Sequence, residues 1–254
     1  KPEATTEESE PYDGSVDSFI TAYDHDTGFH IIENNKDGTF GATNTTSVAG
    51  GSAHNAITQG DYDGDGDEDV IAGRDNSGNV ATFYNHTSYG TFTAAGDYGL
   101  TGSSTEQWGG ATADFDEDGH LDFAMSTGSD NIDIYYGDGD GTFSGSVTYT
   151  VCNGDEARGM DAGDLDGDGY DDLIVGCTDT PDLNAVMNDG DGTFTIKTDL
   201  SFTQDDILDE PAVTVADYDE DGKRDVIASE GGALSHKLHY YQGKGDGTFQ
   251  EPVE

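Results

Sequence analysis

Asp164-Leu165-Asp166-Gly167-Asp168-Gly169-Tyr170-Asp171-Asp172, running straight into Leu173-Ile174-Val175-Gly176, is the stretch that decides the fold. Counted from Asp164, carboxylates stand at positions 1, 3, 5 and 9, with a glycine at position 6. Alternate residues of a tight loop point inward, so Asp164, Asp166 and Asp168 present oxygens to one centre. The backbone carbonyl of Tyr170 fills position 7, and Asp172 closes the cage. Calcium accepts roughly six to eight oxygens at flexible geometry, whereas zinc prefers nitrogen and sulfur. Gly169 permits the sharp turn, because a residue without Cβ takes positive φ freely.

A single copy would read equally well as an acidic surface turn, but the nonapeptide returns three times. The further copies are Asp61, Asp63, Asp65, Gly66 and Asp69; Asp114, Asp116, Asp118, Gly119 and Asp122; and Asp217, Asp219, Asp221, Gly222 and Asp225. Their position-7 carbonyls belong to Asp67, His120 and Lys223. Four like charges in so short a loop are costly unless a cation neutralises them. About four structural Ca²⁺ sites are therefore expected. An EF-hand would need a bidentate Glu at position 12 and a helix on each side. Position 12 is instead Ala72, Met125, Val175 or Ala228, each inside an apolar β-type run, so that motif is excluded.

The position-9 aspartates, counting Asp17, lie 52, 53, 50 and 53 residues apart. A second landmark keeps the same beat: Asp37-Gly38-Thr39-Phe40, Tyr89-Gly90-Thr91-Phe92, Asp140-Gly141-Thr142-Phe143, Asp191-Gly192-Thr193-Phe194 and Asp246-Gly247-Thr248-Phe249. Two independent markers with one period establish five repeats. Each reads as four short strands. Ala157 to Gly163 leads into the metal loop and Leu173 to Cys177 leads out; Ile132 to Tyr136 alternates with period two; Asp-Gly reverses the chain into a strand such as Ser146 to Val151. The Phe of that turn is expected between sheets, and no helix of useful length is expected. The fold class is all-β: a β-propeller of about five four-stranded blades over residues 13–254, with calcium loops between first and second strands.

Residues 1–12 read as an acidic arm or linker. The first repeat is damaged: Asp13, Gly14 and Asp17 match positions 5, 6 and 9, while Ser9 and Pro11 fall at positions 1 and 3. Residues 4–10 supply the missing inner strand, or clasp the last blade, or leave the ring to be completed by another chain; the sequence does not choose.

Gly60-Asp61-Tyr62-Asp63-Gly64-Asp65-Gly66 and Gly163-Asp164-Leu165-Asp166-Gly167-Asp168-Gly169, together with the Gly-Asp-Gly-Thr-Phe turns, resemble FG-GAP/VCBS repeats, the blades of integrin α-subunit propellers and of many secreted microbial proteins. The resemblance covers about residues 13 to 250. It implies a calcium-bearing propeller and is unspecific for activity. Integrin-like propellers have seven blades, where this chain shows five.

Composition narrows the partners. The 254 residues hold 54 acidic against 9 basic side chains, a net charge of −45, with 32% hydrophobic content and 37 Gly. Four Ca²⁺ would return +8 and leave about −37, which repels nucleic acid and anionic membrane. This balance looks like halophilic proteins, whose self-repulsion salt screens, or like an acidic secreted protein of ordinary seawater. No stretch approaches the roughly 18 apolar residues of a membrane span. Weak calcium loops would stay empty in a cytosol, so an extracellular, secreted or cell-surface location is expected. Cys152 and Cys177, 25 residues apart, suit either a bridge or two buried thiols.

Catalytic residues are not indicated. The seven histidines fall at unrelated phases of the repeat, and no Gly-x-Ser-x-Gly, phosphate loop or zinc spacing is present. The expectation is a non-enzymatic adhesion or ligand-binding module for an extracellular protein or glycan. Alternatives are a structural subunit of a filament or surface layer, self-associating through the N-terminal arm, and a sugar-active enzyme such as a polysaccharide lyase. Ligand residues should lie in loops that break the repeat. Tyr98 to Trp108 contains the only Trp and is a candidate sugar platform, although a large aromatic equally fills a gap between blades. Arg158 either meets an anionic ligand or pairs with a neighbouring carboxylate.

Overall fold

The computed structural model describes residues 18–21, 28–34, 39–47, 54–74, 80–88, 91–101, 107–178, 182–201, 211–229 and 237–250. Within them the chain is all-β and contains no helix. The first sheet is β1 (Ser18–Thr21), β2 (Gly28–Asn34) and β3 (Phe40–Ser47). The second is β4 (His54–Gly60), β5 (Asp69–Arg74), β6 (Val80–Ser88) and β7 (Thr91–Gly99); the third is β8 (Gly110–Ala113), β9 (Asp122–Ser126), β10 (Asn131–Gly137) and β11 (Phe143–Thr150). The fourth is β12 (Ala157–Gly163), β13 (Asp172–Cys177), β14 (Asp182–Asn188) and β15 (Phe194–Ser201), and the fifth is β16 (Val213–Ala216), β17 (Asp225–Ser229) and β18 (Leu238–Tyr241).

Every sheet is an antiparallel meander in sequence order, and three of the five have four strands. Such sheets are consistent with propeller blades. Asp17 immediately precedes β1 as Asp69 opens β5, so the first described sheet starts at the second-strand position. The damaged first loop, the candidate inner strand at residues 4–10 and the arm at 1–12 lie outside the described residues. The fifth sheet continues past its turn as a bridge between Gly243 and Phe249.

The first strands of the second to fifth sheets lie side by side in series, β4 by β8, β8 by β12 and β12 by β16, and β1 lies beside β4. Their small residues follow from that proximity. A Cβ on Gly109 would sit 1.9 Å from the Arg158 carbonyl oxygen, and one on Gly159 would sit 2.4 Å from that of Pro211. Only glycine lets the backbones approach so closely. Second strands are buried on both faces, which is why Leu173 to Cys177 is a continuous apolar run. The outer strand β11, by contrast, is exposed along most of its length after Phe143.

The gaps between the second and third, third and fourth, and fourth and fifth sheets are filled by residues from both. Between the second and third, Phe143 meets Tyr62, Phe83 and Phe123 edge-on at centroid distances of 5.5, 6.1 and 4.8 Å. Between the third and fourth, Phe115 and Phe194 are 5.7 Å apart. The Phe of the Asp-Gly-Thr-Phe turn thus packs between sheets, as the sequence suggested. The turn caps itself: Asp140 Oδ1 accepts from Thr142 N at 3.1 Å and from its Oγ1 at 2.6 Å, and Asp191 and Asp246 hold Thr193 and Thr248 in the same way.

Cys152 and Cys177 form a disulfide, with Cα atoms 5.5 Å apart. It ties the connection leaving β11 to the far end of β13, joining the third and fourth sheets. The bridge closes a loop of 25 residues, worth about 3 kcal/mol in the chain-entropy model. Reduction is therefore expected to lower unfolding stability by about that amount, read as a lower urea midpoint for protein incubated with dithiothreitol.

Candidate functional site

Strand alternation puts the four acidic loops and the Asp-Gly-Thr-Phe turns at one end of the sheets. The second-to-third and sheet-to-sheet connections lie at the other. In each loop the carboxylates at positions 1, 3 and 9 converge: Asp61, Asp63 and Asp69; Asp114, Asp116 and Asp122; Asp164, Asp166 and Asp172; Asp217, Asp219 and Asp225. In each group one oxygen per residue lies within 4.8 Å of the others. These four clusters are able to hold metal ions. Position 5 stands outside the groups. Asp65, Asp118, Asp168 and Asp221 instead accept the N–H of Asp67, His120, Tyr170 and Lys223 at 2.9 to 3.0 Å.

The position-9 carboxylate is wholly buried and does more than face the centre. Asp172 Oδ2 accepts Leu165 N at 2.9 Å and its Oδ1 accepts Asn188 N at 2.8 Å, so one side chain ties the loop to the third strand. Asp122 does the same with Phe115 and Gly137, Asp69 with Tyr62 and His86, and Asp225 with Tyr218 and Gly243. Position 1 organises the turn: the glycine N–H at position 6 donates to Asp61, Asp114, Asp164 or Asp217 at 2.8 to 3.1 Å.

The donor set is all oxygen and suits a hard cation. Burial raises the Asp69, Asp122 and Asp172 carboxyls to about 7, against the backbone hydrogen bonds that favour their ionised form. Asp63, Asp116 and Asp166 are also raised, first by burial and then by the neighbouring position-5 carboxylate. Asp166 Oδ1 is buried with no hydrogen-bond partner. A buried anionic oxygen without a partner is costly, and a cation at the centre removes that cost.

Sequence reasoning missed the groups that brace position 3 from the third strand. Asn85 donates to Asp63, and Gln242 Nε2 donates to Asp219 at 2.5 Å. Both stand at one phase of the repeat, just ahead of the turn, and that shared phase was the available signal. Adjacent sheets also lock onto the loops. The position-2 carbonyls of Tyr62, Phe115 and Leu165 accept from Gly141 N at 3.1 Å, Asn188 Nδ2 at 2.9 Å and Gly247 N at 3.1 Å, each donated by the next sheet. Gly141 needs its missing side chain: its φ is +77°, and a Cβ would meet the Phe83 ring at 2.9 Å. The position-2 side chains are buried in turn, except that Tyr218 is 42% exposed.

The ligand candidates separate. Tyr98 lies on the outer strand β7 and packs edge-on against Phe123, Tyr135 and Phe143, inside the aromatic filling between sheets. Trp108 precedes β8 at the opposite end from the metal loops, with its backbone N–H donating to Ser126 Oγ at 2.8 Å. It is half-buried and lines a cavity of about 560 Å³ with residues of β4, β8, β12 and β16, including Thr58, Thr112 and Asp161. The Arg158 guanidinium lies 4.4 Å above the Trp108 ring and pairs with Glu156 at 3.0 Å, so the carboxylate partner expected for Arg158 is present. Of the candidate stretch from Tyr98 to Trp108, residues 102–106 lie outside the described residues.

The FG-GAP-like repeat family matches residues 12–72, 61–125 and 114–175, more than half of the chain. The chain belongs to this family. Its FG-GAP-like repeats have no match among curated proteins. Among solved structures, the chain is similar to an Agrocybe aegerita lectin described as recognising non-reducing terminal N-acetylglucosamine, at 23% identity and a TM-score of 0.60. The match covers 90% of this chain and 61% of the lectin's, so these repeats span under two thirds of that protein's length. A weaker likeness, with a TM-score of 0.49 and 12% identity, is to BBS1N in complex with ARL6DN; it covers 78% of this chain and 56% of that one.

Proposed function

We propose that the chain is a calcium-stabilised β-propeller module that works outside the cell by binding a glycan, without catalysis. Calcium is the cation that the four oxygen-only clusters suit, held through positions 1, 3 and 9 with the backbone supplying further oxygen. Its role is structural, joining the first and second strands of each blade at their turn. The disulfide supports an oxidising compartment, and the calcium concentrations such loops require support an extracellular one.

The observation that carries the glycan reading is the half-buried Trp108 at a cavity shared by four first strands. An indole in a concave, mostly preformed site is a surface on which a sugar ring packs. The likeness to a GlcNAc-recognising lectin supports the same class of ligand. Titration of a GlcNAc-terminated oligosaccharide into wild type and Trp108→Ala tests it. The substitution is expected to weaken binding about tenfold or more, equivalent to about 1.4 kcal/mol, with calcium-dependent melting retained. Equal affinities would remove Trp108 from the site.

Exposed Tyr218, alone among the position-2 side chains, favours one further reading. A second copy that covers this surface would make the chain a structural subunit. Sedimentation would then show assembly that rises with concentration, whereas the binding-module reading expects a monomer.

A further inference from the structure

The second cavity, of about 420 Å³, lies at the metal-loop end between the fourth and fifth sheets, on the opposite face from Trp108. Its lining includes Lys223, Arg224 and Lys244, so three of the nine basic residues of a chain with 54 acidic ones surround one small space. The repeats themselves show how unusual this is. Where Lys223 stands, the other loops carry Asp67, His120 and Tyr170; where Arg224 stands they carry Glu68, Leu121 and Asp171; where Lys244 stands, the third and fourth turns carry Asp138 and Asp189. Three positions that are acidic or neutral in the other repeats are cationic in this one.

These cations are not consumed equally by neighbours. Lys223 Nζ pairs with Asp221 at 3.1 Å and Lys244 Nζ donates to the Phe249 carbonyl at 2.6 Å, which leaves each further donors. Arg224 is exposed and interacts electrostatically with the Asp171 carboxylate, but it forms no hydrogen bond or salt bridge among the described residues. Asp164 and Asp217 also line the cavity, but their oxygens accept N–H groups of their own loops at 2.7 to 3.1 Å. The volume falls in the range of about 300–1,000 Å³ found for small-molecule sites. The guanidinium presents a planar fork matched to a carboxylate or sulfate group.

The geometry points to Lys223, Arg224 and Lys244 forming an anion-selective saccharide subsite, which takes a sugar bearing a carboxylate or sulfate group at the metal-loop face. This inference rests on the glycan-binding reading above and names a second site with its own ligand class.

Calorimetric titration of the full chain in calcium with three disaccharides tests it: one containing glucuronate, its neutral methyl ester, and a sulfated one. The proteins are wild type, Trp108→Ala, and the double variant Arg224→Leu with Lys244→Asp, which installs residues found at the same positions in other repeats. Binding of either anionic sugar about tenfold or more tighter than the ester, lost in the double variant and kept in Trp108→Ala, is the expected result. Unchanged anionic binding in the double variant, with calcium-dependent melting intact, would overturn the subsite. So would binding of neutral sugars at Trp108 with no anionic preference, which leaves the glycan reading standing. No binding of any sugar, neutral GlcNAc oligosaccharides included, would bring down both.

Discussion

Asp172→Ala is expected to remove about 3–5 kcal/mol of stability, far more than the loss of one surface acid. The side chain is fully buried and accepts two backbone N–H groups, Leu165 at 2.9 Å and Asn188 at 2.8 Å, so alanine leaves both donors buried and unsatisfied. An unsatisfied buried donor costs about 1–3 kcal/mol each, and the Asp164–Asp166 group also loses its third carboxylate. Asp168→Ala is the matched control. Asp168 is exposed and accepts only Tyr170 N at 3.0 Å, so its loss should cost about 1 kcal/mol. Urea unfolding in calcium reads both. Equal losses would mean that position 9 has no special place in the loop.

Calcium removal is the second large effect. At ten times its dissociation constant one site adds about 1.4 kcal/mol, so four independent sites exceed about 5 kcal/mol. That approaches the whole stability of many domains, about 5–15 kcal/mol. For a chain of this length the melting midpoint should fall by about 10–20 °C in chelator and recover when calcium, rather than magnesium, is restored. A midpoint that ignores the chelator would refute the cation assignment. The raised carboxyls give the direction of the accompanying pH effect. An acid whose folded pKa is raised above its unfolded value binds more protons when folded, so cation-free stability declines as pH climbs from about 4 to about 7.

The acidic loops, the turns and their common beat were legible because both lie within one sheet, where strand alternation and turn chemistry act locally. Ala157 to Gly163, Leu173 to Cys177 and the Phe of each turn fall where their patterns place them. What the sequence concealed is sideways. Tyr98 and Trp108 are ten positions apart, yet one closes a gap between outer strands and the other lines the space between inner ones. The division of labour among the aspartates was equally hidden. Position 5 has the same residue type as positions 1 and 3, yet its oxygens stand outside the converging groups, although position 3 also accepts the N–H two residues on. Cys152 and Cys177 had no spacing that required a bridge; the neighbouring sheets bring their Cα atoms to 5.5 Å. The cavity of small-residue strands has no sequence signal at all, since glycine and alanine there record only how closely backbones pass.

The carbonyls of Tyr62, Phe115 and Leu165, each capped by the sheet that follows, bear on how this chain divides. The period seen in the residues runs from loop to loop, but the unit that is whole in space straddles it: a loop from one repeat and the turn of its successor. A truncation made neatly at a repeat boundary would strip the final loop of its lid. One made half a repeat later would keep it. Shortened versions should therefore be cut after an Asp-Gly-Thr-Phe turn, and grafted repeats exchanged in that offset register.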